Sequence, residues 1–589
     1  MMKNFTTNVN LRSLYLIFLL SFLHQANAQN TTVQGDCLEL TTWSGSSWSN
    51  GEPSIDKKIV IAGNLNSASA ITGCSLTVNN GAQLTIASGT TLTIENGISV
   101  SNGSRLVVED NANLLQINNS AVNMGNITVK KNSSSLYKLD YTLWSSPVSG
   151  QQLQAFSPAT SSSRFYEYTY STSTAGAISE MYNSTNALNN FEVAKAYLIR
   201  MPNTDAAQGY NDGTTDLTFQ GSFTGVPNNG TITKALATQG SRYTAVGNPY
   251  ASSINVQDFF AANSDVLDPS AGLYFWRKKF DTNAGSYATL TRDAYVYNHV
   301  DGEGQYGGEQ WDEMFNGNSS ENWVINPGQG FMVKTAEGVT NPQLTFNNEM
   351  RRGDVHNNQF FRNANNDDQK SRLWLNLTGN DGFSQAAVVY SATATTGLDY
   401  GRDGNLITSG TVALYSIAEA TNLTIQARPA FENEDIVAMG YTTNAAGTYT
   451  VSLHRKDGLF TSGQDIFIKD AQTGITHNLS DNDYTFATEA GTFNNRFSVV
   501  YRSSALGTST STLTANEVVV FKQGNAINIS AGSTQITGLT IHDIRGRVLY
   551  NNPSVNATKA IINDLQAAKE ILIVEINTEK GKVSKKLLF

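Results

Sequence analysis

Six histidines, two cysteines and one concentrated run of acids are the places where this chain could do chemistry. The histidines are His24, His299, His356, His454, His477 and His542. None stands in H-E-x-x-H, the spacing that sets two imidazoles and a general base on one helix face, so a zincin-type site is unsupported. There is no G-x-S-x-G elbow, no P-loop, and no G-x-G-x-x-G between a strand and a helix. His454 and His477 have Asp457 and Asp481 nearby, neighbours that more often serve local hydrogen bonding than proton transfer. The acids are Asp301, Glu303, Glu309, Asp312 and Glu313, interleaved with glycines, Tyr306 and Trp311. Oxygen ligands on a Gly-rich loop could hold calcium while the rings stack on a sugar. The plainer reading is a solvated loop on an acidic protein, because the EF-hand alternation with its terminal Glu is absent. Arg352-Gly353-Asp354 matches a short cell-attachment tripeptide and is read as a chance match at the start of a polar connector. No catalytic residue, metal ligand or cofactor is assigned.

Those residues must be positioned by a chain of 589 residues, which implies about four domains. Charged residues are 15% and hydrophobic ones 40%, so the chain is neither a disordered polyelectrolyte nor a membrane-embedded one. A net charge of −10 argues against nucleic acid as the partner, since phosphate binding needs a basic surface. Lys3 and Arg12 precede an apolar run at residues 14–23, followed by small residues Ala26 and Ala28. This is the layout of a secretory signal peptide, with cleavage expected between Ala28 and Gln29. The run is half the roughly 20 residues a bilayer requires. No other stretch approaches that length, so no transmembrane segment is expected in the mature chain. Two cysteines are too few for a disulfide scaffold or a Cys-rich zinc site. In an oxidising compartment Cys37 and Cys74 are expected to pair with each other.

Short β-prone pieces between residues 75 and 119 are punctuated by Gly81, Gly89, Gly97 and Gly103. Each is too short to bury a face alone, so neighbours must stack. A small β-solenoid with two or three strands per coil is expected; a plain antiparallel meander is the alternative. A longer repeat follows. Tyr141-Thr142 with Pro147 and Phe156 recurs as Tyr243-Thr244 with Pro249 and Phe259. Phe165-Tyr166 is answered by Leu273-Tyr274, Lys195-Ala196-Tyr197 by Gln329-Gly330-Phe331, and Leu217-Thr218-Phe219 by Leu344-Thr345-Phe346. Four landmarks in one order, at offsets of 102, 108, 134 and 127, imply a duplicated β-module with an insertion in the second copy between Trp276 and Phe331.

Longer alternating strands over residues 372–502, with turn signals such as Asp457-Gly458, point to an antiparallel β-sandwich. The whole is therefore expected to be all-β and multi-domain. Its order is a signal peptide (1–28), a solenoid-like domain (29–135), module copy 1 (136–236), copy 2 with the acidic insertion (237–350), and a polar connector (351–371). The sandwich (372–502), a Ser/Thr linker (503–514) and a C-terminal domain (515–589), itself read as a β-sandwich, complete it.

That last segment carries an asparagine-bearing strand around Asn528, the run Asp543-Ile544-Arg545-Gly546-Arg547-Val548, the hairpin Lys580-Gly581-Lys582 and the terminus Lys585-Lys586-Leu587-Leu588-Phe589. In that order these features resemble the type A C-terminal sorting domain of the type IX secretion system. The run Ala568-Lys569-Glu570 departs from the Gly-then-aromatic pattern of that family. The resemblance implies passage through the periplasm and the outer membrane, with a sorting signal carried by Asp543, Gly546, Arg547, Gly581, Lys585, Lys586, Leu587 and Phe589. It implies the type IX machinery as partner, followed by release or attachment to surface lipopolysaccharide. Nine basic against six acidic residues over 515–589 contrast with 28 against 43 in the rest of the mature chain. Residues 136–502 also resemble the non-catalytic β-rich regions of large secreted surface proteins and adhesins. The expected function is adhesion or contact with surface glycans, through exposed aromatics and polar loops that act by multivalency. The alternative is a secreted polysaccharide-degrading enzyme with an unrecognised carboxylate site.

Overall fold

Alternating tetrads such as Ser75-Leu76-Thr77-Val78 bury every second side chain, and this period sets the N-terminal architecture. The computed structural model describes residues 37–136, 140–202, 217–276, 287–297, 320–353, 370–379, 382–407, 410–502, 518–563, 565–567 and 569–589. Strands Ser75–Val78, Gln83–Ile86 and Thr91–Ile94 form one coil, and Ile98–Val100, Arg105–Val108 and Asn113–Gln116 the next. Leu76, Leu84 and Leu92 pair in parallel with Ile98, Leu106 and Leu114, each 22 positions further on. Neighbours in a meander would run antiparallel, so the parallel register makes this a three-sided solenoid. The turns keep the same step: Gly81 and Gly103 take φ of +73° and +81°, and Gly89 at +77° is answered by Asn111 at +61°. Glycine and asparagine are the residues that tolerate this left-handed backbone. A side-chain ladder keeps it too. Asn118 Nδ2 donates to Asn96 Oδ1 at 2.9 Å, and Asn96 Nδ2 lies 3.4 Å from the sulfur of Cys74, 22 residues before it. An earlier coil, Lys57–Ile61, Leu65–Ser67 and Ile71–Gly73, stacks in parallel on the coil that begins at Ser75, and Cys74, between the two, is disulfide-bonded to Cys37 in the lead-in segment.

Strand Ile127–Leu136 stacks in parallel on Arg105–Val108 and pairs antiparallel with Leu217–Pro227. One strand thus closes the solenoid and opens the first module, and the two share a core that holds Leu84, Val129, Trp144, Phe156 and Phe223. The module sheets have matching strand orders. The first runs Tyr141–Trp144, Tyr197–Arg200, Phe165–Thr172, Ile178–Ser184; the second runs Tyr243–Gly247, Gly330–Lys334, Leu273–Trp276, Tyr287–Leu290, with Tyr295–Val296 added at its edge. A short helix follows the first strand of each, Leu153–Phe156 and Val256–Ala262. Asn255 caps the second helix by accepting the Asp258 N–H at 3.1 Å. One face of each sheet meets the other over Leu143, Leu198, Tyr243, Tyr274 and Met332. The opposite face of the second sheet buries Phe275, Phe331 and Val333 on a core of its own with Phe259 and Phe260.

A buried guanidinium links the second module to the solenoid. Arg351 is 4% exposed and donates to the Leu114 carbonyl at 2.6 Å, Ser252 Oγ at 2.9 Å, and the side-chain oxygens of Asn229 and Asn348, each at 3.1 Å. It also lies 4.7 Å from the Tyr250 ring centre. These partners are all neutral, and burial lowers the Arg351 pKa to about 10.

Residues 371–500 form one long ribbon of sheet that folds over a core holding Leu375, Val388, Tyr441, Val451, Ile468 and Phe497. Its pairings are antiparallel except that Gly382–Tyr390 runs parallel to Thr421–Arg428. A parallel pair needs a long crossover, and residues 391–420 supply it. Within this core Asp470 is fully buried and bonded to the Arg496 guanidinium at 2.9 Å and the Tyr484 hydroxyl at 2.9 Å. Burial works to raise its pKa, but those hydrogen bonds outweigh it and hold the carboxyl below its ordinary value.

The chain divides after Arg502 into a second unit, Ser503–Phe589. It has a three-stranded sheet, Val519–Gln523, Ala526–Ser530, Lys559–Ile562, and a four-stranded one, Val548–Asn552, Ile536–His542, Ile571–Thr578, Gly581–Leu588. Ile527, Ile529, Leu539, Ile541, Val574 and Ile576 fill the core of this unit. The protein is all-β and multi-domain. No helix among the described residues is long and apolar enough to cross a membrane.

Candidate functional site

The residues with catalytic potential are dispersed. His477 Nε2 lies 2.9 Å from the Asn482 carbonyl, while Asp481 accepts from the Asn478 amide. Asp457 is bound to the Arg372 backbone N–H and guanidinium, each at 2.8 Å. His454 packs edge-on to Tyr297 at 5.5 Å. His477 and Asp481 therefore bond to different groups. Among the described residues no group of three His, Cys, Asp or Glu side chains could hold a metal ion. Arg352 pairs with Asp258, and the Gly353 carbonyl accepts the Thr91 hydroxyl, so both are anchored to neighbours. Ala26, Ala28, Gln29, His24, His299, His356, Asp354 and the acidic run at 301–313 lie outside the described residues. Of the described aromatic rings only Phe521 is exposed, at 47%; the others are buried or half-buried. Among the described residues, rings expected to be exposed for multivalent contact instead fill cores and seams, where large rings bury the most apolar area.

The seam between the modules has a local two-fold symmetry. Trp144 forms an antiparallel bridge with Gln329, and Val246, the counterpart of Trp144, forms one with Lys195, the counterpart of Gln329. The Ser145 N–H donates to the Gly328 carbonyl at 2.9 Å, and the Gly247 N–H donates to the Ala194 carbonyl at 3.2 Å. Such an exchange of partners defines an isologous interface, here made within one chain. On the axis, equivalent residues must meet each other. Tyr182 and Tyr287, the hairpin partners of Tyr168 and Trp276, bring their hydroxyls to 3.1 Å. A Cβ on Gly247 would lie 2.4 Å from that of Ser145, and one on Gly330 would lie 2.7 Å from that of Ala196. Two side chains do not fit at either point, so one copy is glycine. The ring pairs also repeat, with Tyr141 and Tyr166 at 5.8 Å and Tyr243 and Tyr274 at 5.8 Å. Burial raises the Tyr243 hydroxyl to about 12, so this ring stays uncharged near neutrality.

In the C-terminal unit, Asp543, Gly546 and Arg547 form one turn. Asp543 Oδ1 accepts the N–H groups of Arg545 and Arg547, each at 2.9 Å, and Oδ2 accepts from the Arg547 guanidinium at 3.1 Å. The Arg547 N–H bond, aided by the Arg545 N–H and the guanidinium, keeps the carboxyl below its ordinary pKa. Gly546 has φ of +81°, which explains a glycine there. Gly581, at φ +132°, turns the last hairpin, and Thr578 Oγ1 donates to its carbonyl at 2.9 Å. Lys585, Lys586 and Leu587 then pair with Val574, Ile573 and Leu572. The Phe589 N–H donates to the Glu570 carbonyl at 2.9 Å, and Lys522 sits 4.3 Å from the Phe589 ring centre. The turn and the terminal strand thus lie in the same four-stranded sheet. Sequence reading did not single out Tyr182, Tyr287 or Arg351. Extending the repeat one strand past Tyr168 and Trp276 would have found the tyrosines; nothing local marks Arg351.

No curated protein matches this chain. Among solved structures it is similar to Tp47, the 47-kilodalton lipoprotein of Treponema pallidum, at 8% identity over 77% of this chain and 100% of that one, with a TM-score of 0.12. A likeness at that score carries nothing about fold or function. Residues 506–589 match the model described as Domain of unknown function (DUF8694). Residues 38–501 match a second model, and on that match the chain belongs to the family Domain of unknown function (DUF8693).

Proposed function

We propose that this chain is an exported β-protein, sent out by the type IX secretion system through its C-terminal unit and acting at or beyond the outer surface in adhesion or glycan contact. One observation carries the reading: the segment resembling a sorting domain is a separate unit with its own core and a charge opposite in sign to the remainder. A unit of this kind can act as a detachable address. For the contact role, the half-buried rings of Trp43 and Trp48, 5.3 Å apart beside a Ser- and Gly-rich turn, are a place where a sugar ring could stack.

The test fuses residues 515–589 behind a signal peptide and a fluorescent reporter in a cell with type IX machinery, and deletes the same residues from the native chain. The reporter is expected outside the cell and the truncated protein in the periplasm. A truncated protein that still leaves at normal yield would end the export reading. A glycan array probed with the full chain and with Trp43→Ala tests the contact role separately.

A further inference from the structure

The four-stranded sheet of the C-terminal unit turns one face to its core and the other outward. The outward face is identified by its contacts: Glu575 pairs with Lys582 at 2.8 Å and with His542 at 3.7 Å, and Thr540 donates to Asn551 at 3.1 Å. Following the register toward one end, Lys586 lies opposite Ile573, His542 beside Ile573 and Val548, and Leu588 opposite Ile571. The turn at Ile544 closes that end. Leu588 is 75% exposed, Ile544 64%, Val548 53% and Ile571 47%. A solvated sheet face normally carries polar side chains, and apolar residues gathered at one end of a small unit mark a contact surface. Lys586 lies within the patch and the exposed side chains of Arg545 and Arg547 stand at the turn beside it. The nearest acid on the face, Glu575, already faces two cations.

We propose that this end of the sheet, Ile544, Val548, Ile571, Lys586 and Leu588, is the surface by which the C-terminal unit docks on a protein component of the export machinery. The partner face has an apolar centre and an acidic rim. Charge complementarity selects that occupant, because a second copy of the same face would bring like cations together. The proposal rests on the export reading above and specifies which surface of the unit is read. The Asp543 turn then positions the patch: its hydrogen bonds hold Ile544 and Val548 at the sheet end.

The test expresses the full chain, an Ile571→Glu/Leu588→Glu variant, Lys586→Glu and the 515–589 deletion in a cell with type IX machinery. It reads the exported fraction and the melting temperature of each purified protein. The glutamate pair is expected to cut export by about tenfold or more, the effect of losing a central apolar anchor, with an unchanged melting temperature. Lys586→Glu is expected to have a smaller effect of the same sign. If the glutamates lower the melting temperature, Ile571→Thr with Leu588→Thr repeats the measurement with β-forming residues. Normal export of a stable patch variant, while the deletion is retained, overturns the docking surface and leaves the export reading standing. Normal export of the deletion overturns both. Binding of the full chain to phosphatidylglycerol vesicles that is lost in the glutamate variant also overturns the protein partner and assigns the patch to an anionic lipid surface.

Discussion

In the first module the outer edge strand, Ile178–Ser184, has no further strand beside it among the described residues, whereas the equivalent strand of the second, Tyr287–Leu290, is covered by Tyr295–Val296. Attachment differs in the same way. The first module continues the solenoid covalently through Ile127–Leu136, while the second reaches the solenoid through hydrogen bonds, among them those of Arg351, the Leu114 N–H to the Ala251 carbonyl at 2.8 Å and the Ser253 N–H to Asn113 Oδ1 at 3.0 Å. The second also meets the sandwich, where Trp374 Nε1 donates to the Tyr295 carbonyl at 2.7 Å and the Arg455 guanidinium lies 5.0 Å from the Trp374 ring centre. The shared seam and the divergent outer surfaces show where duplication was constrained. A self-complementary face can change only where its partner tolerates the change, and the outer faces carry no such restriction.

Removing Arg351 from the second module's tie to the solenoid should have the largest effect. Arg351→Met removes four charge-assisted hydrogen bonds, leaving Asn229 Oδ1 with only the Asn348 amide and Asn348 Oδ1 with only the Gly230 N–H, and a loss of about 3–5 kcal/mol in urea unfolding is expected. A loss below about 1 kcal/mol would mean that the remaining bonds, such as those of Leu114 to Ala251 and Ser253 to Asn113, hold the second module without Arg351. Next, Gly247→Val forces a side chain onto the axis, where the space beside Ser145 is closed, and overpacking of this kind costs about 1–3 kcal/mol. Moving the side chain across the axis with Ser145→Gly and Gly247→Ser should instead keep most of the stability. If the exchange is as harmful as Gly247→Val, the two-fold relation is only topological.

The junction of the second module with the sandwich is expected to be pH-sensitive. Asp403 is buried and accepts N–H bonds from Asp399 at 2.6 Å and Ala427 at 2.7 Å. Burial nevertheless pushes its pKa up to about 7, with the Asp399 and Asp293 charges adding to the rise. Arg402 and Lys370 face Asp293 in the same cluster. An acid whose folded pKa is raised contributes its full stability below the unfolded value near ~4, and loses it as pH rises through the folded value. The melting temperature of the native chain minus that of Asp403→Asn should therefore fall between about pH 4 and pH 7; a flat difference would rule this out. The smallest effect belongs to the axis hydroxyls. Tyr182→Phe and Tyr287→Phe should each lose about 1 kcal/mol, and the double variant less than the sum, because one hydrogen bond is shared.

Much of this was legible because short-range pattern and long-range structure agree. The tetrads with glycines between them marked a solenoid, since a piece too short to bury a face must stack. Tyr141 and Tyr243, or Lys195 and Gln329, marked a duplication through order alone. The shift from a net −15 over the rest of the mature chain to +3 over the last 75 residues, with the Asp543 and Lys585 motifs, marked a separate unit. The axis itself was not legible, because Tyr182 and Tyr287 acquire their meaning only when one sheet is laid on the other.

By itself the sequence determined the strand-rich class, the repeat and the place where the chain divides, because alternation, turn glycines and composition act between near neighbours. Tertiary structure alone decided that the solenoid's last strand is also the first module's first, that one copy carries glycine where Ser145 meets Gly247 and where Ala196 meets Gly330, and that Arg351 is buried among neutral acceptors from segments as distant as Leu114. It also decided which of Ile571, Ile573, Lys586 and Leu588 face water, because strand register sets which side chains share a face, and register is a property of paired strands rather than of either one alone.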